Sequence, residues 1–193
     1  MANTGKLIVI TGPMFAGKTT KLLSEIQKAH KSKKKVILFK SAIDNRYSDV
    51  DVVSHNGARF PAVTLPDGAE GIKALYEAAE NYDVIGIDEG HFWDDTKGLA
   101  DTLNKLAFKS KSIYVAMLNR KSDGTSFNLS KELLPFADHV QFIKAKCARC
   151  AKDATFTQRV TPYRTVNGEI SYVGGKEDYE ARCRNCFTPP PKA

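Results

Sequence analysis

Across the first two-thirds of the chain, short and fully apolar runs alternate with stretches in which apolar residues recur at helical spacing. Residues 7–10 (Leu-Ile-Val-Ile), 36–39 (Val-Ile-Leu-Phe), 84–88 (Val-Ile-Gly-Ile-Asp), 113–118 and 140–145 read as buried strands. Between them, one helix presents Leu22, Leu23, Ile26 and Ala29 on a single face. A second, over residues 70–80, turns Ile72, Leu75, Tyr76 and Ala79 inward, and a third, over 99–108, does so with Leu99, Leu103 and Leu106. A short helix is expected near residues 130–136. Strands that are apolar on both faces and alternate with helices predict an α/β fold, with a mainly parallel sheet flanked by helices.

The pattern breaks at about Lys146. From Cys147 onward come short β-like segments, a long middle loop carrying Gly168, Gly174 and Gly175, and a Pro-rich tail. This predicts two domains: residues 1–145 as a nucleotide-binding α/β unit, and residues 146–193 as a small, separately stapled unit.

Composition changes little in this picture. The 193 residues are 42% hydrophobic and 26% charged, ordinary for a globular protein. No run approaches the ~18 apolar residues of a membrane span, and the first residues lack a secretory pattern, so a cytoplasmic protein without membrane association is expected. The net charge of +7 raises nucleic-acid binding as an explanation. However, the densest basic run, residues 31–35, follows a predicted helix end and has no interleaved aromatics for base stacking. A polyphosphate ligand plus solvated lysines accounts for the charge, and no nucleic-acid partner is expected.

The chemistry begins at Gly12, Pro13, Met14, Phe15, Ala16, Gly17, Lys18 and Thr19, which match GxxxxGK[ST] between a predicted strand and a predicted helix. The glycines let backbone N–H groups turn toward a nucleotide's phosphates, Lys18 reaches the β and γ oxygens, and Thr19 offers a hydroxyl to Mg²⁺. The strand over 84–88 ends in two adjacent carboxylates. Asp88 is placed to hold the Mg²⁺ shell, leaving Glu89 to act as a base on an incoming hydroxyl or water.

All four cysteines lie in two C-x-x-C pairs, Cys147 with Cys150 and Cys183 with Cys186. That spacing suits a tetrahedral structural zinc. Two disulfides are an alternative that a reducing cytosol disfavours. A redox pair is another, and it lacks a thioredoxin-like context. With four thiolates, the metal's task would be architectural.

Taken together, these motifs resemble the type II thymidine kinases, the zinc-containing cytosolic family, over roughly residues 7–187. Besides the phosphate loop, Asp44, Asn45, Arg46 and Tyr47 resemble the family's D-x-R-Y segment, followed by Ser54-His55. Residues 87–92 resemble I-D-E-[GA]-Q-F, with His91 where glutamine is usual. The resemblance implies phosphoryl transfer from ATP to the 5′-hydroxyl of thymidine, with deoxyuridine a further candidate, and Glu89 as the base. It places Asp44, Arg46 and His91 with the ATP site, and Arg46 and Arg159 against charge on the transferred group. It implies a zinc-pinned "lasso" closing over the nucleoside, with Met14, Phe92, Phe127, Thr157, Tyr172, Val173, Gly174 and Tyr179 as substrate contacts, and a homodimer or homotetramer. Residues 118–127 depart from the family's L-D-x-x-F-x-x-x-P-F: Asn119 replaces the aspartate and Ser122 the inner phenylalanine. Two other readings remain at this stage: a non-catalytic nucleoside-binding regulatory domain of the same fold, and a zinc-ribbon P-loop ATPase acting on nucleic acid.

Overall fold

A computed structural model describes residues 5–43, 51–53, 57–162, 164–166, 169–172 and 174–189. Asp44, Arg46, Ser54, His55 and Val173, all singled out above, lie outside the described residues.

The chain opens with β1 (Lys6–Gly12), whose residues from Leu7 onward are buried. α1 (Lys18–Lys31) follows, then β2 (Val36–Ser41). A short hairpin, β3 (Asp51–Val53) and β4 (Arg59–Pro61), precedes β5 (Val63–Leu65). α2 (Gly68–Ala79), β6 (Val84–Asp88), α3 (Thr96–Phe108) and β7 (Ser112–Leu118) come next. α4 (Asn128–Leu133) then leads to β8 (His139–Phe142). Strands β5, β2, β6, β7, β1 and β8 form one six-stranded sheet in that order. Every pairing within it is parallel, the α/β architecture that the apolar runs predict.

The two faces of the sheet bury separate cores. On one, Leu22, Leu23 and Ile26 of α1 pack with Ile10, Leu38, Val84 and the hairpin's Val52. On the other, Leu75 of α2, Leu99, Leu103 and Leu106 of α3, and Leu129 and Leu133 of α4 cover Val9, Phe39, Ile85 and Val115. Deleting a side chain such as Leu103 would leave a void in the second core, at a typical cost of about 2–5 kcal/mol.

Some boundaries differ from expectation. The strand expected over 140–145 is β8, ending at Phe142; Ala145 instead pairs with Ala154 in a separate ladder. The helix expected near 130–136 runs from Asn128 to Leu133 and tightens into a 3₁₀ turn, Leu134–Phe136, where Pro135 has no N–H to continue an α-helix. β5 and the β3–β4 hairpin escape the periodicity argument because three-residue strands are too short to show a period.

After β8 the chain forms short antiparallel ladders. β9 (Ala145–Lys146) pairs with β10 (Asp153–Ala154), and β11 (Phe156–Arg159) with β14 (Tyr179–Arg182). β12 (Arg164–Val166) pairs with β13 (Glu169–Ser171). A third buried cluster, Ala145, Cys147, Ala154, Ala181 and Cys183, lies here, with Phe15 and Ala16 packed against it. The C-terminal segment thus touches the phosphate loop directly. No described helix is long and apolar enough to cross a membrane. The basic run 31–35 is exposed.

Candidate active site

In parallel sheets, ligands bind beyond the carboxyl ends of the strands, and the phosphate loop after β1 and the Asp88–Glu89 pair at the end of β6 lie at that edge. The loop after β1 turns through Phe15 at φ 64° and Gly17 at φ 84°, left-handed conformations that aim successive backbone N–H groups the same way. Lys18 is buried, and its Nζ donates to the Pro13 carbonyl at 2.9 Å. The first turn of α1 contains no acidic residue to oppose an anion, while Lys28, His30 and Lys31 sit at its far end.

Gly12 has a second reason to be glycine. At φ 149°, a Cβ would lie 2.1 Å from the Ile143 carbonyl oxygen, and Ile143 N–H holds that approach by donating to the Thr11 carbonyl at 2.8 Å. Gly12→Ala is therefore expected to push β1 from the segment after β8 and misplace the loop. Thermal unfolding should register a loss of about 1–3 kcal/mol, with weakened ATP binding by calorimetry.

At the end of β6, the Thr19 hydroxyl donates to the Asp88 carboxylate, 3.1 Å from either oxygen. The two expected Mg²⁺ partners are thus already together. Glu89, the next residue, adopts φ 48°, ψ 42°. A left-handed conformation at a non-glycine residue costs about 1–2 kcal/mol. It breaks the strand's alternation, so that Asp88 and Glu89 do not simply point to opposite faces. Glu89 joins Lys18 and Thr19 in lining one cleft.

The remaining walls of this cleft come from elsewhere in the chain: Met14, Phe92, Leu118, Tyr172, Gly174 and Gly175. His91 also lines it but is largely buried. Its ring lies between those of Phe92 and Phe127, at centroid distances of 4.2 and 4.6 Å. His91 Nδ1 accepts the Leu118 N–H at 3.3 Å and lies 3.5 Å from Glu89 Oε2. A nitrogen that accepts cannot carry a proton there, so the Leu118 bond fixes the neutral tautomer with its hydrogen on Nε2.

Other expected contacts lie behind this wall. The Thr157 hydroxyl accepts the Met14 N–H at 3.0 Å, tying β11 to the phosphate loop. Tyr179 is buried, and its hydroxyl donates to the Tyr172 carbonyl at 2.8 Å; its ring faces a second cleft on the far side of the loop, shared with Lys21, Lys146 and Lys176. Arg159 donates to the Tyr179 hydroxyl at 2.7 Å and to the Thr161 and Pro162 carbonyls, and it pairs with buried Asp178. In this arrangement it orders the C-terminal segment. Phe127 is buried between His91 and Tyr172. Thr20 lines the cleft without having been singled out in the sequence, although it carried a signal, since it follows Thr19 at the helix start; Gly175, noted above in the loop's glycine run, lines it as well.

The four cysteine sulfurs lie within 4.8 Å of one another, and Cys150 Sγ is 3.6 Å from Cys183 Sγ. A disulfide requires about 2.05 Å. Metal–sulfur bonds of about 2.3 Å give tetrahedron edges of about 3.8 Å, which these positions fit. Burial pushes the Cys147 thiol up, but the backbone N–H groups of Cys183, Arg149 and Cys150 outweigh it and hold it at about 6. Cys186 is pushed up to about 12 by bonds with the Cys183 and Cys150 sulfurs, burial adding to the effect. Sulfurs this close cannot all ionise unless a cation lies among them. The cluster therefore suits a four-thiolate metal site.

A phosphate loop between the first strand and first helix, facing an acidic strand end across a parallel sheet, defines the class of P-loop nucleotide-dependent kinases. A sequence model of the family described as thymidine kinase matches residues 5–187. A thymidine kinase of Thermococcus kodakarensis is 43% identical over 190 residues, 96% of this chain and 95% of that protein. One from Pyrobaculum aerophilum is 37% identical over 192 residues, 96% of this chain and the whole of that protein. The chain belongs to the thymidine kinase family.

Proposed function

We propose that the protein transfers the γ-phosphate of ATP to the 5′-hydroxyl of thymidine, and of deoxyuridine as a second acceptor, in nucleotide salvage for DNA synthesis. The observation that carries this reading is the shared cleft: Glu89, Lys18 and Thr19 line the same space as Phe92, Tyr172 and Gly174. The phosphate loop, Lys18 and Arg46 hold the donor's phosphates, and Glu89 takes the proton of the attacking hydroxyl. The acceptor base lies among Met14, Phe92, Tyr172, Val173 and Gly174, with Phe127, Thr157 and Tyr179 supporting that wall. Such catalysis is largely positioning and electrostatics.

Thr19 and Asp88 would hold Mg²⁺, which arrives with ATP and offsets charge on the β and γ phosphates. Asp88→Asn is expected to raise the Mg²⁺ concentration needed for half-maximal turnover by about 10- to 100-fold. Titrating activity against Mg²⁺ at fixed ATP checks this; an unshifted titration would remove Asp88 from the metal site.

The four cysteines would hold structural Zn²⁺, and residues 146–193 would form the unit it pins beside the domain of residues 1–145. A cytoplasmic homo-oligomer, dimer or tetramer, completes the reading. Exposed Val140 and Phe142 on β8, an edge strand of the sheet, support self-association. Incubation with ATP, Mg²⁺ and thymidine should yield thymidine monophosphate and ADP in equal amounts. ADP formed without a phosphorylated nucleoside would overturn the proposal.

A further inference from the structure

The cleft wall continues behind the aromatics as a row of rings. Phe92 stands against His91, His91 against Phe127 at 4.6 Å, and Phe127 meets Tyr172 edge-on at 6.1 Å. The row ends on a small hairpin within residues 118–127, the stretch that departs from the family pattern. Arg120 bridges to Ser126, Lys121 N–H donates to the Thr125 carbonyl at 2.8 Å, and Gly124 turns the chain at φ 88°. Lys121 Nζ lies 4.9 Å above the Tyr172 ring and 5.9 Å from that of Phe127. The Tyr172 hydroxyl donates to Asp123 Oδ2 at 3.4 Å. Asp123 Oδ1, meanwhile, accepts the Thr125 N–H and hydroxyl at 2.7 and 2.6 Å, which fixes the carboxylate. Burial alone would push that carboxyl up, but the Thr125 bonds and nearby Lys121 hold it below its ordinary value, so it stays an acceptor.

We infer that Lys121 and Asp123 are positioning residues for the nucleoside site: together they clamp Tyr172 and so set the wall that Tyr172, Gly174 and Gly175 present to the acceptor. The cation grips the ring face and the carboxylate grips the hydroxyl, so the ring can neither swing nor slide. Neither residue lines the cleft. They act through Tyr172, whose carbonyl is held from the other side by Tyr179. The C-terminal segment is thereby fastened at two points to separate parts of the chain: to the phosphate loop by Thr157 and to the β7–α4 connection by this clamp.

The inference rests on thymidine being the acceptor. Lys121→Met and Asp123→Ala are each expected to raise KM for thymidine about three- to tenfold, while KM for ATP stays within about twofold of wild type. Lys121→Arg keeps a cation over the ring and should stay near wild type. Combining Lys121→Met with Asp123→Ala should cost less than the product of the single effects, because both act on one ring. Tyr172→Phe retains the ring and its packing but loses the hydroxyl, and should reproduce Asp123→Ala even if that variant folds poorly. An unchanged thymidine KM in Lys121→Met and Tyr172→Phe would overturn the clamp. So would an equal rise in both KM values. A wild-type protein that phosphorylates no nucleoside would instead overturn the acceptor assignment, so the two failures are distinguishable.

Discussion

Replacing Glu89 by glutamine is expected to lower kcat by about 10²- to 10⁴-fold, the range that removal of a positioned general base produces. ATP should bind as before. The substitution keeps size and hydrogen-bonding capacity while removing basicity, so it separates chemistry from packing. The geometry gives reason to expect so large an effect. Glu89 occupies a left-handed backbone conformation, and the next residue, Gly90, has little room for a side chain, since a Cβ there would lie 3.0 Å from Val115 Cγ1. A strained residue at a strand end, aimed into a cleft, is the kind of local cost that persists at functional positions. Single-turnover measurements with bound ATP would separate the chemical step from binding; kcat within a few-fold of wild type would dismiss Glu89 as the base.

The second large effect concerns the four cysteines. Metal binding to a four-thiolate site contributes about 10–16 kcal/mol in small zinc domains, far more than the buried cluster around Ala145, Ala154 and Ala181 could replace. Cys183→Ser, or exhaustive chelation verified by elemental analysis, should unfold the C-terminal segment and abolish thymidine binding. ATP binding should weaken much less, because Lys18, Thr19 and Asp88 belong to the sheet's edge; the phosphate loop loses the Thr157 partner of Met14 and the packing of Phe15 and Ala16. Full thymidine turnover in protein shown to be metal-free would contradict the structural role.

Much of this arrangement was legible in the sequence, for identifiable reasons. Four of the five long apolar runs are interior strands, as covered faces of a parallel sheet require; the run at 140–145 became β8, an edge strand with Val140 and Phe142 exposed. The phosphate loop and the cysteine pairs are short-range patterns whose spacing is itself the geometry. Asp88 and Glu89 were recognisable because an acidic pair at the end of a buried strand has no packing reason to exist. What stayed hidden depends on distant contacts or on pieces too short to carry a period. β5 and the β3–β4 hairpin are of the second kind. Arg159 and Tyr179 are of the first: the sequence shows a cation and an aromatic near a glycine run, but not that they bond each other. Lys121 and Asp123 gave no signal, since their partner lies 49 positions from Asp123.

The central claim is that one cleft brings a nucleotide's phosphates to a nucleoside hydroxyl. It is tested most directly by offering a panel of nucleosides with ATP and Mg²⁺ and identifying each product by mass. The account predicts that thymidine gains 80 Da as its 5′-monophosphate (the mass of one phosphoryl group, roughly, transferred as in any kinase reaction), that deoxyuridine follows, and that the purine nucleosides stay unmodified. ATP consumed with every nucleoside unchanged would contradict it.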